Sequence, residues 1–230
     1  SDDRRVASRV APDEEVSDIV RAMGETGAGI FQLAMKRGHT DVMMNVYRDL
    51  ADLSKETGRA ITFGSLSRKE YPGQWKLLYR LIEEENLKGA HIFTQVHSRE
   101  INSLLSFETS TPFDNWDVWR DFRRMPLETQ GEKLKNDPIL RRRLIDIANR
   151  PYDGPEVLGA EPRPPEWNTF YVMDRIPRPH RSVAAIATER GVTPAEAMIE
   201  VALEHDLKVF FRQPFANENQ DDALELMKHP

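Results

Sequence analysis

Between Ala28 and His97, three short apolar runs alternate with two stretches whose apolar residues recur at helical spacing. The runs are Ala28–Ala34, Ala60–Phe63 and Ala90–His97, each the length of a buried strand. Between them, Met43, Val46, Tyr47 and Leu50, and then Trp75, Leu78, Tyr79 and Ile82, fall on single helix faces. Gly58 and Gly89 stand where those helices would close. Strand, helix, strand with short links predicts parallel strands joined by crossovers, and in such units chemistry gathers at the carboxyl ends of the strands.

Upstream, residues 1–12 predict an irregular lead-in. Pro12 opens a helix with Val16, Ile19, Val20 and Met23 on its apolar face, ended by Gly24 and Gly27. Downstream the rhythm breaks. Residues 108–168 predict a mostly helical, lid-like insertion carrying Phe113, Trp116, Trp119 and Phe122, a helix opening at Asp137-Pro138, and a proline-rich stretch over 151–165. Alternation returns at Thr169–Met173, followed by a helix over 182–190 that ends at Gly191. Thr193-Pro194-Ala195-Glu196 reads as a capping box, Leu207–Arg212 as a strand and Asp221–Lys228 as a last helix. The predicted division is therefore 1–107 as βα units of a partial barrel, 108–168 as the insertion, and 169–230 as further βα units of the same barrel.

Composition narrows the class. Apolar residues at 39% supply a core, charged residues at 30% a wetted surface, and zero cysteines exclude disulfides and thiolate ligands. A net charge of −6 gives no pull toward nucleic acid. The basic clusters at Arg120, Arg123 and Arg124 and at Arg141–Arg143 read as solvated helix faces. No run reaches the length of a membrane span, and the expected compartment is the cytoplasm.

Six histidines occur, at 39, 91, 97, 180, 205 and 229, and none forms a tight metal-ligand spacing. His97 follows the third run and precedes Arg99 and Glu100, a setting suited to an anionic group or a proton transfer. His205 reads as structural, on an apolar helix side. By strand-end position the pocket candidates are Gln32, Ser65, Gln95, His97 and Arg99, with Lys36 and Arg68 in the adjoining loops. The glycines at 24, 27 and 29 precede a strand, so they do not make a dinucleotide loop.

The run Met23–Gln32 resembles the middle of amidohydrolases of the N-acyl-D-amino-acid deacylase (D-aminoacylase) type. The likeness continues in order through Thr57–Phe63, Gln74-Trp75, Leu81–Asn86, Thr94–Val96, Glu108–Phe113, Phe210–Pro214 and Met227–Pro230. The resemblance implies a zinc-dependent (β/α)8 barrel of the TIM type that hydrolyses an amide bond, zinc activating a water. It further implies that this α/β chain is a partial barrel, with the family's His-x-His before Ser1 and its metal-binding Asp after Pro230. Members of the family end two successive strands with a histidine. Here those ends read Gln32-Leu33-Ala34 and Phe63-Gly64-Ser65. No metal ligand and no cofactor is therefore assigned within this chain, although the resemblance implies zinc in the full-length protein.

Two readings follow. In the first, the parent is an amidohydrolase acting on a small-molecule amide, and this chain alone is inactive. In the second, the chain is a diverged, non-catalytic barrel module for ligand binding or for assembly, including a homo-oligomer. That reading is motivated by the missing histidines, the open sheet edges and the aromatics of the insertion.

Overall fold

The helical spacings form helices in the computed structural model, which describes residues 12–34, 39–151, 164–175 and 179–229. The lead-in at 1–11, Lys36, and residues 152–163 of the proline-rich stretch lie outside the described residues. The chain divides into two compact units, residues 1–100 with 216–230, and residues 101–215.

The first unit begins with α1 (Asp13–Thr26), β1 (Ile30–Leu33), α2 (Thr40–Thr57), β2 (Ala60–Gly64), α3 (Gln74–Leu87) and β3 (Ile92–Gln95). The strands form one parallel sheet in the order β1-β2-β3, with Gln32 beside Thr62 and Gly64 beside Gln95. The side-by-side, co-directional runs expected from the sequence are thus present, with the third strand shorter than its apolar run.

Period-2 alternation sorts β2 into two faces. Ile61 and Phe63 are fully buried, and with Ile92 they pack against Tyr47, Leu50, Leu78 and Ile82 of α2 and α3. The Tyr47 and Phe63 rings stand 4.2 Å apart. Each such buried side chain contributes about 1.5–3 kcal/mol of transfer free energy.

Polar side chains close the seams. Ser54, buried at the end of α2, donates to the Arg59 carbonyl at 2.8 Å and accepts from the His91 N–H at 2.9 Å, tying the starts of β2 and β3 together. The Asn86 amide bonds both the N–H and the C=O of Ile92 at 2.9 Å, which blunts the outer edge of β3. Gly58 closes α2 at φ +65, a conformation that penalises a Cβ. Gly24, expected at the end of α1, lies within it. A Cβ built there would sit 3.0 Å from Thr57 Cβ, so the residue marks a close helix crossing.

The second unit holds β4 (Ile101–Leu105), α4 (Asp117–Arg123), α5 (Leu127–Asn136), α6 (Pro138–Ala148), β5 (Tyr171–Val172), α7 (Val183–Arg190), α8 (Pro194–Glu204) and β6 (Phe211–Ala216). α9 (Gln220–Lys228) returns to the first unit. Trp119 is fully buried, donates from its indole to the Leu144 carbonyl at 3.1 Å, and is ringed by Phe107, Phe113 and Phe122. Residues 117–148 are largely helical, within a unit that runs from 101 to 215. Of the aromatics offered as an assembly surface, Trp119 and Phe122 are core, and Trp116 packs half-buried against it.

Arg123 is not a solvated helix-face residue either. Its side chain is 9% exposed and bonds the Phe107 and Thr109 carbonyls, Gln130 and Asp114. Burial lowers the guanidinium from its ordinary value, and Asp114 partly offsets this. Arg141, on α6, lies 3.2 Å from Glu200.

Asp137, Ser182 and Thr193 cap α6, α7 and α8 with their side chains, at the boundaries read from the sequence. Thr193 accepts from the Glu196 N–H, while the Glu196 carboxylate stands 3.9 Å from Arg141.

Residues 169–215 do not continue the parallel sheet. β5 and β6 belong to a second sheet of order β4-β6-β5, and they pair antiparallel. The reason is the count of helices between them. One helix returns the chain to the starting end of a sheet, so the next strand runs parallel. A packed pair such as α7 and α8 returns it to the far end, so the next strand runs back. The strand expected at Leu207–Arg212 is shifted onward, because Asp206 and Leu207 take left-handed backbone (φ 51 and 62) and turn the chain there. His205, read as lying on an apolar face, is an exposed residue closing α8. No helix among the described residues is long and apolar enough to cross a membrane.

Candidate functional site

The face of the parallel sheet opposite α2 and α3 carries Ile30, Gln32, Ala60, Thr62, Gly64, Phe93 and Gln95, as the register requires. Ile30 is 66% exposed and Phe93 56%, and both glutamines are exposed. Gln32 Nε2 donates to Gln95 Oε1 at 3.4 Å, and Gln95 Nε2 donates to Thr62 Oγ1 at 3.4 Å. The three strands thus present a connected row of amide and hydroxyl groups flanked by apolar side chains. The bonds are long and the groups neutral, so the row offers donors and acceptors to a polar ligand.

Of the sequence candidates, Gln32 and Gln95 meet on this face. Ser65 does not join them. Its N–H continues the ladder to the Gln95 carbonyl at 2.9 Å, so alternation turns its side chain to the helix side, where it is 1% exposed. Strand-end position alone does not distinguish the two faces, and a one-residue offset exchanges them. His97 and Arg99 lie exposed beyond the end of β3. Arg68 stands 3.8 Å from Glu70 and 5.6 Å from the centre of the Tyr71 ring.

The carboxyl-end rim has an organiser that sequence reading missed. Asn217 is fully buried at φ +54. Its backbone N–H donates to the Ser67 carbonyl at 2.8 Å, and its Oδ1 accepts from the Ser67 N–H at 2.9 Å. Its Nδ2 donates to the His97 carbonyl at 3.0 Å, and its own carbonyl accepts from Gln220 Nε2 at 2.9 Å. The Ser67 hydroxyl bonds Asp222 Oδ2 at 2.5 Å. One asparagine therefore fixes the segments after β2 and β3 to the start of α9. The only sequence hint was an Asn in a turn-forming context, a residue that tolerates left-handed backbone.

The remaining histidines do not gather with these groups. His229 stacks on Tyr79 with ring centres 4.2 Å apart and lies 2.9 Å from Glu83. Among the described residues, no group of three or more His, Cys, Asp or Glu side chains could hold a metal. The donor set at the strand ends is amide and hydroxyl, whereas zinc is held by imidazole, thiolate and carboxylate, so these residues do not fit a zinc centre. Comparison with protein-family models, with curated proteins and with solved structures finds no match to this chain.

Proposed function

We propose that the β1–β3 unit of this chain is part of a (β/α)8-type barrel of the amidohydrolase kind, whose parent hydrolyses an amide such as an N-acyl amino acid. The single observation carrying the reading is the two-faced parallel sheet. Helices cover one side, and the other presents Gln32, Thr62 and Gln95 between Ile30 and Phe93. In a closed barrel that second face lines the interior beneath the ligand-bearing rim. Amides and hydroxyls there suit the acyl and carboxylate oxygens of such a substrate. Metal and water activation would come from residues outside this chain, so no catalytic step is assigned to it, and the isolated chain is expected to hydrolyse nothing.

The test is a zinc assay and a hydrolysis screen of N-acyl amino acids on the full-length protein, with Gln95→Ala and His97→Ala beside it. Metal-dependent hydrolysis weakened by Gln95→Ala supports the reading. Activity indifferent to metal removal refutes it.

A second reading keeps the fold and drops the chemistry, making the chain a non-catalytic ligand-binding or assembly module. Gln32 and Ser65 favour it, standing at the two strand ends where the resembled family carries histidine. Full-length protein that binds an N-acyl amino acid without turnover would decide for it.

A further inference from the structure

The parallel sheet of the first unit ends at β3. The Ile61 N–H donates to the His91 carbonyl and the Ser65 N–H to the Gln95 carbonyl, so alternate residues of the third strand turn their backbone groups toward β2. Ile92 and Thr94 therefore turn theirs to the open side. The Asn86 amide occupies both groups of Ile92. Thr94 stands on a groove of about 840 Å³, which it lines with Ile82, Ile92, Val96, Leu226 and Met227.

The contacts of α9 give its direction. Asn217, just before it, is bonded to the His97 carbonyl beyond the end of β3, and Asp222 in its first turn bonds Ser67 beyond the end of β2. Glu225 lies 3.0 Å from Lys76 near the start of α3. His229, at the far end, lies 2.9 Å from Glu83 and stacks on Tyr79. The helix thus runs beside α3 and in the same sense, from the carboxyl end of the sheet toward its amino end. Its nine residues span about 13 Å, matching the four residues of β3. Leu226 is buried in the same core as Ile82 and Ile92.

A helix that carries the chain back from the end of one strand to the starting end of the sheet is a crossover, and the strand after it runs parallel to the one before. α2 does this between β1 and β2, and α3 between β2 and β3. The last helix stands in the same relation to β3, although residues 101–215 separate them in sequence.

We infer that β3 and α9 are the strand and crossover helix of one interrupted βα unit, and that the groove receives a strand from the segment following residue 230 of the full-length protein, parallel to β3 and bonded to the N–H and C=O of Thr94. The inference rests on the barrel reading, in which the parent continues beyond this chain. Because Asn86 holds Ile92, the new ladder begins at Thr94. The aliphatic walls call for apolar residues at alternate positions of the incoming strand, on its helix-facing side. An antiparallel occupant would have to enter at the carboxyl end, opposite to where α9 delivers the chain.

The test is a crystal structure of the full-length protein, with amide hydrogen exchange in solution. The expected structure shows the segment after residue 230 running parallel to β3, with the Thr94 N–H donating to it. The Thr94 amide is then expected to exchange within about tenfold of the Phe93 amide, which faces β2. An edge of β3 left to solvent, or filled by an earlier segment, a second copy or an antiparallel strand, overturns the inference. So does a Thr94 amide that exchanges freely while Phe93 is protected. A parent that pairs this strand but hydrolyses no amide upholds the inference and removes the proposed activity. A hydrolytic parent whose β3 edge is filled otherwise removes the inference alone.

Discussion

Replacing Asn217 by alanine tests the rim where the ends of β2 and β3 are held. The substitution strips the acceptor from the buried Ser67 N–H and the donor from the His97 carbonyl. Leaving the buried N–H unpaired costs about 1–3 kcal/mol, and losing the bond to the half-buried carbonyl, which water can partly replace, about 0.5–1.5 kcal/mol. Holding alanine at φ +54 adds about 1–2 kcal/mol that asparagine largely avoids. The total is about 4 kcal/mol, large against ordinary domain stability. Asn217→Gly loses the same two bonds without the backbone strain, so it is expected to cost about 1 kcal/mol less than alanine, trimmed by glycine's greater unfolded freedom. Asn217→Asp keeps the acceptor for Ser67 but sets a carboxylate oxygen against the His97 carbonyl, giving an intermediate loss. Urea unfolding at constant m-value measures all three. An alanine variant within about 1 kcal/mol of wild type, or a glycine variant worse than alanine, refutes the assignment.

Arg123→Met removes a buried cation from the Phe107 and Thr109 carbonyls, Gln130 Oε1 and Asp114, of which Asp114 keeps its bonds from Thr111. It is expected to destabilise by about 3 kcal/mol or more in chemical unfolding, with Arg123→Lys giving little rescue because lysine lacks the planar fork. Lys88 first and Lys55 second, both hydrogen-bonded to Glu85, hold its carboxyl below the ordinary value. The native pKa is depressed, so the stabilisation is complete above the unfolded glutamate value of about 4.3 and is lost as pH falls through the lower native value. Unfolding measured from pH 7 down to 3 is expected to show a shallower acid loss in Glu85→Gln. Gly131→Ala, whose Cβ would lie 3.7 Å from Leu207, is expected to gain up to about 1 kcal/mol of helix propensity. Gly24→Ala, whose Cβ meets Thr57 at 3.0 Å, is expected to gain nothing or lose stability; a gain equal to that of Gly131→Ala would contradict the close helix crossing. The two sheet faces separate by mutation too: in the isolated chain, where Phe93 is exposed, Phe93→Ser changes stability by less than about 0.5 kcal/mol, while Phe63→Ala costs about 3–5 kcal/mol.

How far the chain was legible depends on how local each signal is. Met43, Tyr47 and Leu50, or Trp75, Leu78 and Ile82, announce a helix because a single face repeats within a few residues. Pro138 after Asp137 and Pro194 after Thr193 mark helix starts by chemistry confined to one turn. β4 was missed because Ile101-Asn102-Ser103-Leu104-Leu105 is short and polar at its middle, so its pattern is weak until Leu105 finds its core. Gln32, Ser65 and Gln95 all stand at strand ends, yet the two glutamines share one face of the sheet and Ser65 lies on the other, since position along a strand does not say which face a side chain takes.

Local periodicity by itself therefore determined the parallel βα units, the caps and the buried faces of α2 and α3. Tertiary structure alone decided that β5 and β6 leave that sheet for another, that Arg123 and Trp119 are interior, and that Asn217 holds the rim. The physical reason is range. Ser67 and Asn217 are 150 residues apart, and a hydrogen bond between them leaves no pattern in either neighbourhood. A 3.6-residue or 2-residue period, by contrast, is written wherever one side of an element meets a core.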